Sequence, residues 1–147
     1  MLYKRRIKMD YKKLKDKYIL RLDKGEEIIS SLKEFCQDHS INLGEISGLG
    51  STNDVTIGLF NTKEKKYYSK KFSGDFEIIN LTGNISTMDD EIYLHIHTVI
   101  SDYELNAYGG HLNSAIVSGT AEIIINVIEG NVNRKFDSNI GLNLFEF

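Results

Sequence analysis

One stripe of apolar residues at helical period stands near the front of this chain, and almost everything after it alternates with a period of two. Ile28, Ile29, Leu32, Phe35 and Cys36 recur at i, i+1, i+4, i+7 and i+8, the spacing of one buried helical face. Asp23 stands three residues before Glu26 ahead of that stripe, the spacing of an N-terminal capping box. His39 falls at the end of the helix, where a cation suits the dipole, and reads as a surface end residue. Strand-like runs cover Tyr18–Leu22, Val55–Phe60, Tyr67–Phe72, Phe76–Ile85, Tyr93–Ile100, Thr120–Ile128 and Leu142–Phe147. Thr120–Ile128 is apolar on both faces, as a central, doubly covered strand is. The chain has no proline, so Gly, Asn, Asp and Ser must make its turns, among them Thr62–Lys66 and Ser73-Gly74-Asp75. The pattern predicts an α+β fold: a mostly antiparallel sheet of about seven strands with one main amphipathic helix near the N-terminus.

Its 147 residues suit one domain. No apolar run reaches the roughly 18 residues of a membrane span, and no signal-peptide core opens the chain. No membrane association is expected. Cys36 is the only cysteine, which rules out an intrachain disulfide and a four-thiolate zinc site and points to the reducing cytoplasm. The net charge of −3 hides an uneven distribution. Lys4, Arg5, Arg6, Lys8, Lys12, Lys13, Lys15 and Lys17 face only Asp10 and Asp16 in the first 17 residues. We expect residues 1–10 to be a basic, flexible leader on a single domain of residues 11–147, with Met9 an alternative natural start. Such an arm permits weak, sequence-independent contact with nucleic acid.

Gly48-Leu49-Gly50-Ser51 invites a nucleotide-binding reading, but Asn53 stands where a third glycine is required, and no Lys-Ser/Thr follows. A tight turn between strands accounts for it better.

The chemistry converges on histidine. Ile92, Leu94, Ile96 and Ile100 share the core face of one strand, and Tyr93, His95, His97 and Val99 face the other way. Histidines at i and i+2 have Cα atoms about 6.5–7 Å apart, within reach of a shared metal ion. His111 follows Tyr108-Gly109-Gly110, read as a glycine-hinged loop that delivers a third ligand. Three histidines with a vacant fourth position suit zinc first, and also iron, copper or nickel. Asp102, Glu77 and Asn84 are of the right type to orient the rings. The competing reading keeps the histidines as satisfied polar residues on a half-buried face.

Leu94-His95-Ile96-His97, Gly109-Gly110-His111-Leu112, Val117 and Thr120-Ala121-Glu122-Ile123 together resemble the plant and prokaryote conserved (PPC) domain. Gly48–Ser51 and Gly74–Ile85 extend the resemblance over about Tyr11 to Ile128. It implies a compact α+β domain that assembles as a homotrimer, with a metal ion on His95, His97 and His111 in some prokaryotic relatives. Plant relatives couple this domain to AT-hooks that bind DNA, and bacterial ones are labelled DNA-binding by analogy. An AT-hook needs an Arg-Gly-Arg-Pro core, and this chain lacks proline. Asp75 replaces the arginine that usually follows the glycine of the plant partner-contacting motif, and Leu105 replaces the usual glycine before GGHL.

The sequence therefore points to a small homotrimeric domain that binds a divalent transition metal or small ligand through His95, His97 and His111. DNA binding is the alternative. No nucleophile–base pair or paired carboxylate stands out, so no reaction is assigned, although an open-sited metal can activate water.

Overall fold

The computed structural model describes residues 9–147; the expected leader lies, for residues 1–8, outside the described residues. Met9 packs against the core, and the first strand opens at Asp10. The element order is β1 (Asp10–Leu14), β2 (Lys17–Asp23), α1 (Ile28–Asp38), β3 (Gly44–Asn61), β4 (Lys66–Met88), β5 (Glu91–Ser101), β6 (Ala107–Val127), β7 (Asn133–Asp137) and β8 (Leu142–Glu146). This is the α+β architecture expected, with a mostly antiparallel sheet of eight strands.

The strand count differs for local reasons. β1 is exposed at all five positions, so it carries no apolar alternation to detect. Residues 67–72 and 76–85 are one strand, β4, because Ser73-Gly74-Asp75 bends it without reversing it. Gly74 takes φ 125° there, which a side-chain-bearing residue rarely adopts. Gly48–Ser51 likewise forms no turn. It lies inside β3, at register shifts between Gly48 and Gly50 and between Gly50 and Thr52. A Cβ added to Gly50 would fall 2.3 Å from the Thr120 carbonyl oxygen, so glycine here serves close strand approach.

β3 pairs with both β4 and β6, and β5 pairs with both β4 and β6. The circuit β3–β4–β5–β6 thus closes on itself. β1–β2 extends it beyond β6, and β7–β8 beyond β4, through the single parallel bridge Thr87↔Asn133. Asp89-Asp90, both left-handed, makes the two-residue turn that sends β4 into β5.

α1 packs against β5 and β6. Ile28, Leu32, Phe35 and Cys36 meet Leu20, Leu22, Ile96, Ile100, Ile123 and Ile125 in one buried cluster. Each large side chain buried there contributes about 1.5–3 kcal/mol. The helix cap is Glu27 rather than Asp23: its carboxylate accepts from Ile29 N and Ser30 N, and from Ala115 N at 3.0 Å, tying α1 to β6. The Asp23–Glu26 pair makes the turn just ahead, with Asp23 N donating to Glu26 Oε2. Thr120–Ile128 is central, as expected, but its outer face is not covered among the described residues, where Ile124 and Ile128 stand exposed.

Candidate metal centre

His95 and His97 leave β5 on the face opposite Ile96 and Ile100, which are fully buried. That much follows from the period of two. His111 arrives differently from the loop delivery expected. It lies within β6, directly across from His97, in unbroken antiparallel register. Gly109 and Gly110 are strand residues too. A Cβ on Gly110 would sit 2.6 Å from the Gly58 carbonyl oxygen, and one on Gly58 would sit 2.3 Å from the Tyr67 hydroxyl. The glycines let β3 and β6 close around the histidines; they do not act as a hinge.

The cross-strand rows explain the convergence. Thr82, His97 and His111 occupy one row, and Glu45, Asn84 and His95 the next. Directly opposed residues share a face of the sheet. His95 Nε2 and His97 Nε2 are 3.2 Å apart, and a nitrogen from each of the three rings lies within 4.8 Å of the others. Tetrahedral ligation at about 2.1 Å needs nitrogens about 3.4 Å apart. One pair already meets that, and modest ring rotation brings in the third.

Burial and neighbouring positive groups keep two of the rings from taking up a proton. Burial, then the neighbouring His97, Arg134 and His111, holds the His95 imidazole down at about 4. Burial, then His97, also lowers His111. Metal ligation requires neutral imidazole, and burial favours that form at His95 and His111. A donor set of three imidazole nitrogens fits a borderline-soft divalent ion.

Of the orienting residues considered from sequence, only Asn84 stands beside the cluster. Asp102 instead accepts from Glu104 N and Asn106 N, shaping the β5–β6 turn. Glu77 pairs with Ser101 at the far end of β5. One further residue was not foreseen. Arg134, on β7, lines a cavity of about 530 Å³ together with the three histidines, Tyr67 and Tyr93. A lone arginine in the polar stretch Asn131–Lys135 carries no motif that would have singled it out.

The model of the Plants and Prokaryotes Conserved (PCC) domain matches residues 9–129. This chain belongs to that family. The PCC chain is also similar to several solved structures. A protein from Bacteroides thetaiotaomicron, named a candidate DNA-binding protein, is 37% identical with a TM-score of 0.92, covering 95% of this chain and 97% of that one. A plant- and prokaryote-conserved protein from Pyrococcus horikoshii is 31% identical, with a TM-score of 0.82 and coverage of 95% and 94%. A metal-containing protein from Archaeoglobus fulgidus is 30% identical, with a TM-score of 0.82 and coverage of 96% and 98%. Among curated proteins, the bifunctional protein GlmU of a Synechococcus strain is 27% identical over 110 residues. Those residues are 74% of this chain, but only 16% of the length of that protein.

No helix among the described residues is long and apolar enough to cross a membrane.

Proposed function

We propose that this PCC-domain protein is a homotrimer in which each chain holds one divalent transition metal ion, zinc first, on His95, His97 and His111. The carrying observation is the convergence of three imidazoles within 4.8 Å, with burial favouring the neutral form of His95 and His111. The metal-containing relative from Archaeoglobus fulgidus supports the reading. When bound, the ion supplies Lewis acidity to a small ligand in the adjoining cavity. Around it, the chain positions the rings through the β5–β6 register, with Tyr67 edge-on to His111 at 6.0 Å. No reaction is assigned.

The trimer rests on the family resemblance and on uncovered apolar side chains. Leu49, Ile79 and Ile124 are 53%, 55% and 41% exposed on the sheet, and such patches mark contact surfaces. The cytoplasm suits the single cysteine, Cys36, whose buried thiol is pushed up to about 12 and so kept unreactive.

Elemental analysis of untagged protein tests the centre. One zinc per chain is expected in the wild type, and none in His97→Ala or His111→Ala, with the trimer intact in both. A wild type that takes up no zinc, nickel, iron or copper on reconstitution ends the metal reading. Light scattering that finds a monomer at micromolar concentration ends the trimer.

The second reading is DNA binding, favoured by the description of the Bacteroides protein. Phosphate contacts give affinity a steep salt dependence. Tight, sequence-selective binding at physiological salt would put this reading first.

A further inference from the structure

Arg134 is the one buried charge among the described residues, 8% exposed, and its guanidinium meets no carboxylate. Nε donates to Ser86 Oγ at 2.8 Å, Nη1 to the Asn143 carbonyl at 2.9 Å and Nη2 to Asn84 Oδ1 at 2.8 Å. The rings of Tyr93 and Phe145 cover it at 4.7 and 4.3 Å. Every one of these partners is neutral.

Stapling the β7–β8 hairpin to β4 accounts for the three hydrogen bonds but not for the charge. The two ring faces attract the guanidinium, but no anion among the described residues neutralises it, and a buried ion without a counter-charge is costly. A guanidinium has five N–H groups, so two remain beyond those named. The location completes the argument. Arg134 lines the cavity that the histidines line, and its partner Asn84 stands directly opposite His95, about 5 Å away across the strands. Leu59, Phe60, Leu142 and Leu144 give the same cavity apolar walls.

We propose that this cavity takes a small organic carboxylate with an apolar body, its carboxylate on Arg134 and its body against Leu142 and Leu144. A second contact, from ligand oxygen to the ion on the histidines, rests on the metal reading above; the Arg134 contact does not. Arg134, Leu142 and Leu144 lie beyond residue 129, where the family match ends. The family's domain thus carries the histidines, and the C-terminal hairpin selects the ligand.

The test compares 3-methylbutanoate with 3-methylbutanamide by calorimetry, in metal-free and zinc-loaded protein, with zinc content measured alongside. The acid should bind at least tenfold more tightly than the amide in both forms, as a charged hydrogen bond worth about 1.5–3 kcal/mol requires. Arg134→Gln should abolish that preference in metal-free protein and weaken acid binding at least about tenfold in zinc-loaded protein, at unchanged zinc content. Equal binding of acid and amide by metal-free wild type, or binding of neither, overturns the proposal. Should Arg134→Gln not fold, the wild-type contrast decides alone. Should the protein take up no metal, the metal reading fails while the metal-free contrast still decides the Arg134 site.

Discussion

The chain has four histidines, and they live in two different worlds. His39, at the C-terminal end of α1, stacks on Phe35 at 4.0 Å and meets Tyr11 and Tyr18 edge-on at 5.0 and 5.2 Å. Its Nδ1 donates to the Phe35 carbonyl at 3.0 Å. It is part of an aromatic cluster holding β1–β2 against the helix, more enclosed than a surface end residue. His95, His97 and His111 have chiefly one another, with ring centroids 5.0–5.7 Å apart. A histidine whose polar atom meets backbone and whose ring meets rings is structure. Histidines that face one another, away from the core, are the set proposed above to hold a metal ion.

That contrast breaks most decisively under alanine substitution. His111→Ala should abolish stoichiometric metal, a loss of at least about a hundredfold in affinity, while the metal-free melting temperature barely moves. His39→Ala should do the reverse, costing about 1–2 kcal/mol of stability through lost stacking with metal content intact. Denaturant titration beside elemental analysis of both variants reads the four numbers needed. If His39→Ala lost the metal, the division between the two groups would collapse.

A smaller effect separates them by pH. In metal-free protein the His95 imidazole titrates at about 4, below its unfolded value of 6.5. The unfolded state therefore binds the proton first. Stability from this group is fully present above about pH 6.5 and drains away as pH falls toward 4, by roughly 1–2 kcal/mol after solvent screening. His95→Ala should flatten that part of the profile. Because His95 and His111 stay neutral further into acid than a free imidazole, metal release should begin below pH 6.5 rather than at it.

The smallest effect lies in the turn leading to His111. Leu105 is left-handed, at φ 66°, and is 82% exposed, where the wider family resemblance places glycine. Leu105→Gly should stabilise the protein by about 0.5–1 kcal/mol, read from denaturant midpoints, with metal binding unchanged. No gain would mean that the strain is relieved by contacts of the leucine side chain.

The pattern of what was legible follows from range. The helix stripe, the period-two face of His95 and His97, and the β6 core residues Ala121, Ile123 and Ile125 depend on neighbours a few positions away, and periodicity exposes them. The glycines misled because a glycine that turns the chain and one that lets another backbone approach look alike in sequence. Gly50 against Thr120 and Gly110 against Gly58 are contacts between distant segments. His111 was found but placed in a loop for that reason. Arg134 depends on Asn84, fifty residues away, and nothing near it in the chain announces the meeting.

The closed circuit of strands has a kinetic side. β3 and β6 must meet across great sequence separation, as Glu45 does with Asn126, 81 residues apart, and such pairings form slowly. β5 and β6 are joined by only the short turn after Ser101, and all three histidines lie on that one hairpin. The metal ion proposed for these histidines could therefore be captured by a fragment that pairs locally, ahead of the long-range closure. Caught early, it would pin the register of His97 on His111 and present β6 to β3 already aligned, so that zinc would speed refolding as well as secure the folded state.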